Sequence, residues 1–179
     1  MHFVAKYNSK IGEILLASDG EYLTGLWFVG QKYFADNLKK NVEKDLPIFR
    51  QVKEWLDIYF LGKSPTFVPP LCFGNISDFR KRVWEIMLKI PFGETTTYGK
   101  IAKQIEKETG KKVSAQAVGG AVGHNPISII IPCHRVLGSK ASLTGYAGGI
   151  DKKIELLKLE GIDILKLNNS KIKRAFKFI

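Results

Sequence analysis

Residues 97–123 read TYGKIAKQIEKETGKKVSAQAVGGAVG, and their apolar spacing decides what the second half of the chain builds. From Thr97 to about Glu108, Ile101, Ala102 and Ile105 recur on one face at a helical period. Thr109-Gly110-Lys111-Lys112 supplies a turn, and Ser114 opens a second helix as a capping residue. The second helix is unusually small-sided, because Ala115, Ala117, Gly119, Gly120, Ala121 and Gly123 leave it little side-chain bulk and low propensity. Such a cost fits a backbone that a partner must approach closely, and fits equally well tight packing against a core.

Working outward, Ser77 caps a helix with Phe79, Val83, Ile86, Met87 and Ile90 inward, and Pro91 ends it. Residues 127–132 form a short buried apolar run that leads into Cys133-His134-Arg135-Val136, and residues 138–149 read as a loop or hairpin. A last helix over 151–160 buries Ile154, Leu156 and Leu157, and Gly161 stops it. At the other end, residues 1–29 carry short β-type runs (Phe3, Ala5, Tyr7; Ile11 to Ala17; Tyr22 to Val29), broken at Asn8-Ser9-Lys10 and Ser18-Asp19-Gly20. They predict an antiparallel meander. Helical spacing follows over 32–44 (Phe34, Leu38, Val42) and over 47–61 (Val52, Trp55, Leu56, Tyr59), with Pro47 in the first turn.

The stretch 62–75, with Pro65, Pro69 and Pro70, is the most linker-like. The predicted class is therefore α+β, a mixed α/β chain. Its parts are an N-terminal antiparallel sheet with helices over 1–75, a second domain over 76–167 and a basic tail over 168–179. The tail mixes Lys171, Lys173, Arg174 and Lys177 with Phe176 and Phe178, which suits packing, nucleic-acid contact or fraying.

The chain has 179 residues, 45% of them hydrophobic, enough for a proper core. No stretch approaches the roughly 18 apolar residues of a membrane helix, and the start lacks a signal-peptide layout, so the expectation is a cytoplasmic protein with no membrane partner. Lys and Arg number 28 against 17 Asp and Glu, a formal charge of +11. That excess favours a polyanion, nucleic acid first, beside the plainer reading of a merely Lys-rich protein. The two cysteines, Cys72 and Cys133, show no zinc-type spacing, and neither a metal, a cofactor nor a structural disulfide is expected.

An ordinary thiol, with a pKa of about 8.5, is only a few per cent ionised at pH 7, so a nucleophilic cysteine needs a proton acceptor nearby. His134 follows Cys133 directly. On an extended segment adjacent side chains point to opposite faces, so His134 would act through a bridging water or a bent backbone. Glu160 is the candidate acid to orient the imidazole.

Asn125-Pro126 followed by Ile129-Ile130-Ile131-Pro132-Cys133-His134-Arg135-Val136 closely resembles the active-site signature of the O6-alkylguanine-DNA alkyltransferases, the methylated-DNA-protein-cysteine methyltransferases. The resemblance runs from Phe79 to Gly161 through Phe92-Gly93-Glu94-Thr95-Thr96-Thr97-Tyr98, Ala117-Val118-Gly119-Gly120-Ala121, Gly145-Tyr146-Ala147-Gly148-Gly149 and Leu156-Leu157-Lys158-Leu159-Glu160-Gly161. The first 75 residues fit the family's variable N-terminal domain in outline.

The resemblance implies a winged-helix-like helix-turn-helix domain whose second helix, residues 114–123, enters the minor groove of double-stranded DNA while the damaged nucleotide is flipped out. It implies DNA repair by irreversible, single-turnover transfer of an alkyl group from O6-alkylguanine, or O4-alkylthymine, to Cys133 in a monomeric protein. Thr97, Lys112, Ser114, Gln116, Ala117, Gly119 and Gly120 would contact DNA. His134 would draw the thiol proton, Glu160 would orient it, and Asn125 would tie the recognition helix to the active-site strand. Tyr98 would meet the base near N3, where the residue-level alternative is a core tyrosine. Tyr146, the Ala147 amide and the carbonyls of Cys133 and Val136 would line the guanine. Lys153 would help hold the thiolate, its plainer reading being an exposed helix charge, and Arg135 would brace the site. One departure stands out: Gln116 occupies the place where many members carry an arginine that fills the gap left by the flipped base.

Three other classes fit parts of the pattern. An alkyltransferase-like lesion binder would lack Cys133. A helix-turn-helix regulator would need base-reading side chains where Ala, Gly and Val stand. A cysteine hydrolase would turn over and need no DNA-binding motif.

Overall fold

The structure, a computed structural model, describes residues 2–36, 38 and 40–167, so the basic tail lies outside it. The meander forms as predicted. Strands β1 (His2–Ser9), β2 (Gly12–Ser18) and β3 (Leu23–Phe28) pair antiparallel, with Ser9 opposite Gly12 at the first hairpin and Leu16 opposite Leu26 in the second.

The described residues of 32–44 do not form the predicted helix. Tyr33 and Ala35 sit at positive φ (59° and 54°), which L-residues avoid and no helix tolerates. Phe34 and Leu38 instead pack on Trp27, Leu15 and Ala17, outside the main core. The chain then adds strand β4 (Asn41–Glu43) parallel to β1, giving the order β3-β2-β1-β4. Val42 is 48% exposed there. The apolar spacing in this stretch thus reports anchor points of a loop.

Helix α1 (Pro47–Phe60) has its predicted proline in the first turn and lays Phe49, Val52, Leu56 and Tyr59 against the sheet residues Ile14, Leu16, Leu26 and Phe28. Burying side chains of this size contributes roughly 1.5–3 kcal/mol each. Ser77 caps α2 (Asp78–Leu88) by accepting from the Arg80 amide. Trp84 joins the expected inward face, donating its indole N–H to the Ala121 carbonyl at 2.9 Å. Helices α3 (Tyr98–Thr109) and α4 (Ala115–Gly123) make the predicted pair, capped by Thr97 and Ser114 and joined through Gly110 in the left-handed conformation. Helix α5 (Ile150–Leu159) follows, with Gly161 at φ 79° beyond its end.

Both halves share one continuous core, in which Leu16, Leu26 and Tyr59 meet Trp84, Ile101, Val118, Ile131 and Val136. The free edge of β3 is covered by two segments. Leu23 pairs through its backbone with Pro70 and Cys72, and Leu26 with Pro126 and Ser128, all at 2.8–3.0 Å. The second of these segments runs straight into Cys133, so the N-terminal sheet sets the entry to the site. Among the described residues no helix is long and apolar enough to cross a membrane.

Candidate active site

Cys133–Arg135 forms one turn of 3-10 helix, closed by the Val136 amide donating to the Cys133 carbonyl. Of the two arrangements open from sequence, the bent backbone is the one that forms. It buries the side chains of Cys133, His134 and Arg135 together, where a strand would have sent alternate ones apart. Two devices hold the turn. Asn125, just beyond α4, donates its amide to the carbonyls of Ile131 (2.8 Å) and Ile127 (3.3 Å) and accepts from the Ile127 amide (3.0 Å). The short strands β5 (Thr96–Thr97) and β6 (Val136–Leu137) pair in parallel, bringing the start of α3 beside the turn.

Helix α5 delivers Lys153, and Glu160 follows at its C-terminal end. They are seven residues apart, close to two helical turns, so both face the same way. His134 Nε2 lies 2.6 Å from Glu160 Oε1. Arg135 donates to both oxygens of the same carboxylate, at 2.9 and 3.0 Å, and also to the Ile90 carbonyl. The Gly93 amide adds a further donor to Oε2 at 3.1 Å. Burial disfavours the Glu160 anion, but hydrogen bonds and charge from His134 and Arg135 outweigh it and hold the carboxyl at about 2.

Burial pushes the His134 pKa down against the pull of Glu160, so the ring is neutral near pH 7. With Nε2 facing an ionised carboxylate, the proton sits on Nε2 and Nδ1 is the bare acceptor. Nδ1 is buried and has no hydrogen-bond partner among the described residues. Burial also raises the Cys133 thiol, opposed by the Asn125 amide, the Lys153 charge and backbone amides of the turn. The resting site therefore holds a protonated thiol followed in the chain by a neutral imidazole with one unpartnered nitrogen among the described residues.

Lys153 is fully buried, which overturns the exposed-charge reading. Its ammonium donates to the carbonyls of Val136 (2.7 Å) and Thr144 (3.0 Å), and desolvation lowers its pKa to about 8. Tyr98 donates to the carbonyls of Thr144 and Gly145, both at 3.2 Å, and burial raises its hydroxyl to about 12. A cavity of about 310 Å³ is lined by Tyr98, Gly119, Gly120, Tyr146 and Ala147, with Lys32 and Tyr33 from the N-terminal loop. The Lys32 amide donates to the Ala147 carbonyl at 3.0 Å, pinning that loop to the far wall.

Thr97 and Ser114 act in this structure as caps, accepting from the amides of Lys100 and Ala117. Lys112, Gln116, Ala117 and Gly120 are exposed, whereas Val118, Ala121 and Val122 face the core. A β-carbon built on Gly120 or Gly123 meets nothing within 4 Å, and one on Gly119 only touches the Tyr98 ring at 3.9 Å. Tight packing therefore does not explain these glycines.

Sequence reasoning missed two contributors. By spacing alone Tyr59 is a core aromatic on α1, yet its hydroxyl donates to Glu160 Oε1 at 2.7 Å and lies 3.2 Å from His134 Nε2. The loop carrying Lys32 and Tyr33 has the apolar spacing of a helix. Both reach the site from more than 70 residues away in sequence, a separation no local pattern encodes.

Two family models match the chain: the DNA binding domain of 6-O-methylguanine DNA methyltransferase over residues 78–162 and its ribonuclease-like domain over residues 3–73. A methylated-DNA–protein-cysteine methyltransferase of Haemophilus influenzae is 39% identical over 176 residues, covering 95% of this chain and 92% of the relative. One of Mycobacterium tuberculosis is 44% identical over 153 residues, covering 86% and 88%. Among solved structures, the M. tuberculosis protein OGT in complex with DNA superposes with a TM-score of 0.77 at 42% identity, covering 88% of this chain and 92% of that one. The O6-methylguanine-DNA methyltransferase of Pyrococcus kodakaraensis gives a TM-score of 0.65 at 25% identity, covering 90% and 100%.

Proposed function

The chain belongs to the 6-O-methylguanine DNA methyltransferase family and is a methylated-DNA–protein-cysteine methyltransferase of DNA repair; we propose that its alkyl acceptor is Cys133, working with His134, Glu160 and Lys153 on O6-alkylguanine in duplex DNA. The observation that carries this reading is the bare, buried Nδ1 of His134, the residue that follows Cys133, on an imidazole whose other nitrogen is held at 2.6 Å by Glu160.

In the proposed reaction His134 Nδ1 takes the thiol proton through a bridging water as the sulfur attacks the alkyl carbon. An S–C bond forms and the C–O6 bond breaks. The bonding pair leaves with guanine, which takes up a proton from solvent as His134 releases its own to solvent, while the Tyr98 hydroxyl turns from the Thr144 and Gly145 carbonyls to donate to the leaving base. The Lys153 ammonium offsets the developing thiolate. Tyr146, the Ala147 amide and the carbonyls of Cys133 and Val136 surround the base. The latter two carbonyls already accept one bond each, from the Val136 amide and Lys153, and a carbonyl oxygen has a second lone pair for the guanine amino group. Thioethers do not hydrolyse at neutral pH, so each molecule acts once.

The DNA would lie against the exposed face of α4. Gln116 enters the gap left by the flipped base, Gly119 and Gly120 allow close backbone approach, and Thr97, Lys112, Ser114 and Ala117 border the phosphates. Arg135 braces the site through Glu160. We further propose a division into domains at 1–75 and 76–167, a monomeric state and a cytoplasmic location.

The test is the intact mass of the protein after incubation with excess duplex DNA carrying one O6-methylguanine, with peptide mapping and a Cys133→Ala control. One methylene-equivalent per chain, on Cys133 and then no more, supports the reading. Unchanged mass with tight DNA binding makes the chain a lesion binder and removes Cys133 as acceptor.

A further inference from the structure

We propose that Tyr59, on helix α1 of the N-terminal half, is a positioning residue for the thiol chemistry: by donating to Glu160 its hydroxyl weakens that carboxylate's hold on the His134 ring, so that the imidazole stays neutral with Nδ1 bare. The inference rests on the reading of Cys133 and His134 given above.

Glu160 Oε1 receives three donors, Tyr59 at 2.7 Å, His134 Nε2 at 2.6 Å and Arg135 at 3.0 Å. The Tyr59 oxygen is also 3.2 Å from His134 Nε2, so tyrosine, imidazole and carboxylate close a triangle. Two patterns could satisfy a neutral imidazole in such a triangle. In one, Tyr59 donates to Nε2, which leaves the ring proton on Nδ1 and abolishes the base. In the other, Tyr59 donates to the carboxylate and Nε2–H points into the same oxygen. The 2.6 Å approach of Nε2 to an ionised oxygen selects the second, because two facing lone pairs would repel at that distance.

Tyr59 is fully buried, stacked on Trp55 at 5.4 Å and edge-on to Phe60 and Phe92 at 5.5 and 5.9 Å, so its ring cannot swing away. Burial and the nearby Glu160 keep its hydroxyl protonated far above neutral pH, and it remains a donor throughout the working range. The groups that set the protonation of His134 are Glu160 and Lys153 from α5 and its end, Arg135 on its own turn and Tyr59 from α1. Tyr146, in the loop before α5, pushes the Tyr59 hydroxyl up further. Only Tyr59 comes from the N-terminal half, which makes that half part of the proton-transfer apparatus.

Tyr59→Phe tests this, since it keeps the ring contacts and removes one hydroxyl. Without that donor, Glu160 accepts more strongly from His134 and stabilises the imidazolium, so the base is blocked up to a higher pH. Alkyl uptake by Cys133, followed by intact mass between about pH 5.5 and 9, should slow roughly five- to tenfold near pH 7, the ratio to wild type closing toward one at the alkaline end. DNA affinity should stay within about twofold, as no base contact is lost. The ¹⁵N shifts of the His134 imidazole, read on the unreacted protein near pH 7, should show neutral Nε2–H in the wild type and predominantly imidazolium in the variant. Rates within twofold at every pH, or a uniform slowing with unchanged imidazole shifts, would overturn the proposal. Should the wild type take up no alkyl group, the reading of Cys133 falls, while the imidazole shifts still decide the role of Tyr59.

Discussion

His134 Nε2 stands 2.6 Å from Glu160 Oε1, and Arg135 grips the same carboxylate through two nitrogens at 2.9 and 3.0 Å. One buried anion therefore orients the imidazole and neutralises a guanidinium at once. Glu160→Gln keeps the shape but strands the Arg135 charge, and breaking a buried pair in this way costs roughly 3–5 kcal/mol. Alkyl transfer should fall at least a hundredfold, of order the loss of general-base assistance. Single-turnover rates and urea unfolding check both.

The same carboxylate gives an acid signature. Its folded pKa, about 2, is depressed from the ordinary 4.5. The ionised form is therefore favoured by folding, and its contribution, about 3 kcal/mol, is complete above about pH 4.5 and is lost as pH falls through about 2. Urea midpoints of the wild type should drop across that window, and those of Glu160→Gln should drop less. Parallel curves for the two proteins would contradict the assignment.

Lys153, with its pKa at about 8, loses its positive charge just above neutral pH. The thiolate then develops without a counter-charge, and the rate of alkyl transfer should decline as pH rises through about 8. Lys153→Met should be slower by at least about tenfold at pH 7 and should lack that alkaline decline, because no ammonium remains to titrate. A pH–rate profile of both proteins decides it.

Gly120 is exposed on α4 with open space where a β-carbon would go. Gly120→Leu should leave thermal stability unchanged or raise it slightly, since leucine is the better helix former by up to about 1 kcal/mol. Binding to duplex DNA should weaken at least about tenfold if the backbone lies against the groove. A variant that binds DNA as well as the wild type would place the DNA on another face.

Gln116 is exposed on the same helix. Gln116→Arg should tighten binding and steepen the salt dependence, by about 0.9 in the slope of log K against log salt for one added phosphate contact. Titrations at three or more salt concentrations measure the slope directly. An unchanged slope would mean that the side chain meets no phosphate.

Much of this protein is written in local sequence. The meander, the helix beginning at Pro47, the capped pair beginning at Thr97 and Ser114 and the stop at Gly161 all form as read, because period, caps and turn residues act over only a few positions. The residues Asn125, Cys133, His134, Glu160 and Lys153 were also legible, through motif rather than periodicity. Residues 32–44 were not, since apolar residues at helical spacing say nothing about where the chain must bend to pin a loop on Trp27. Nor could spacing show that Cys133-His134-Arg135 would coil into one 3-10 turn, which depends on Asn125 and on the pairing of Thr96 with Val136. The burial of Lys153, the bare Nδ1 of His134 and the arrival of Tyr59 at Glu160 were decided only by tertiary packing. A protonation state depends on desolvation and on which charges lie within a few ångströms, and those neighbours are supplied by segments as much as 101 residues apart in the chain.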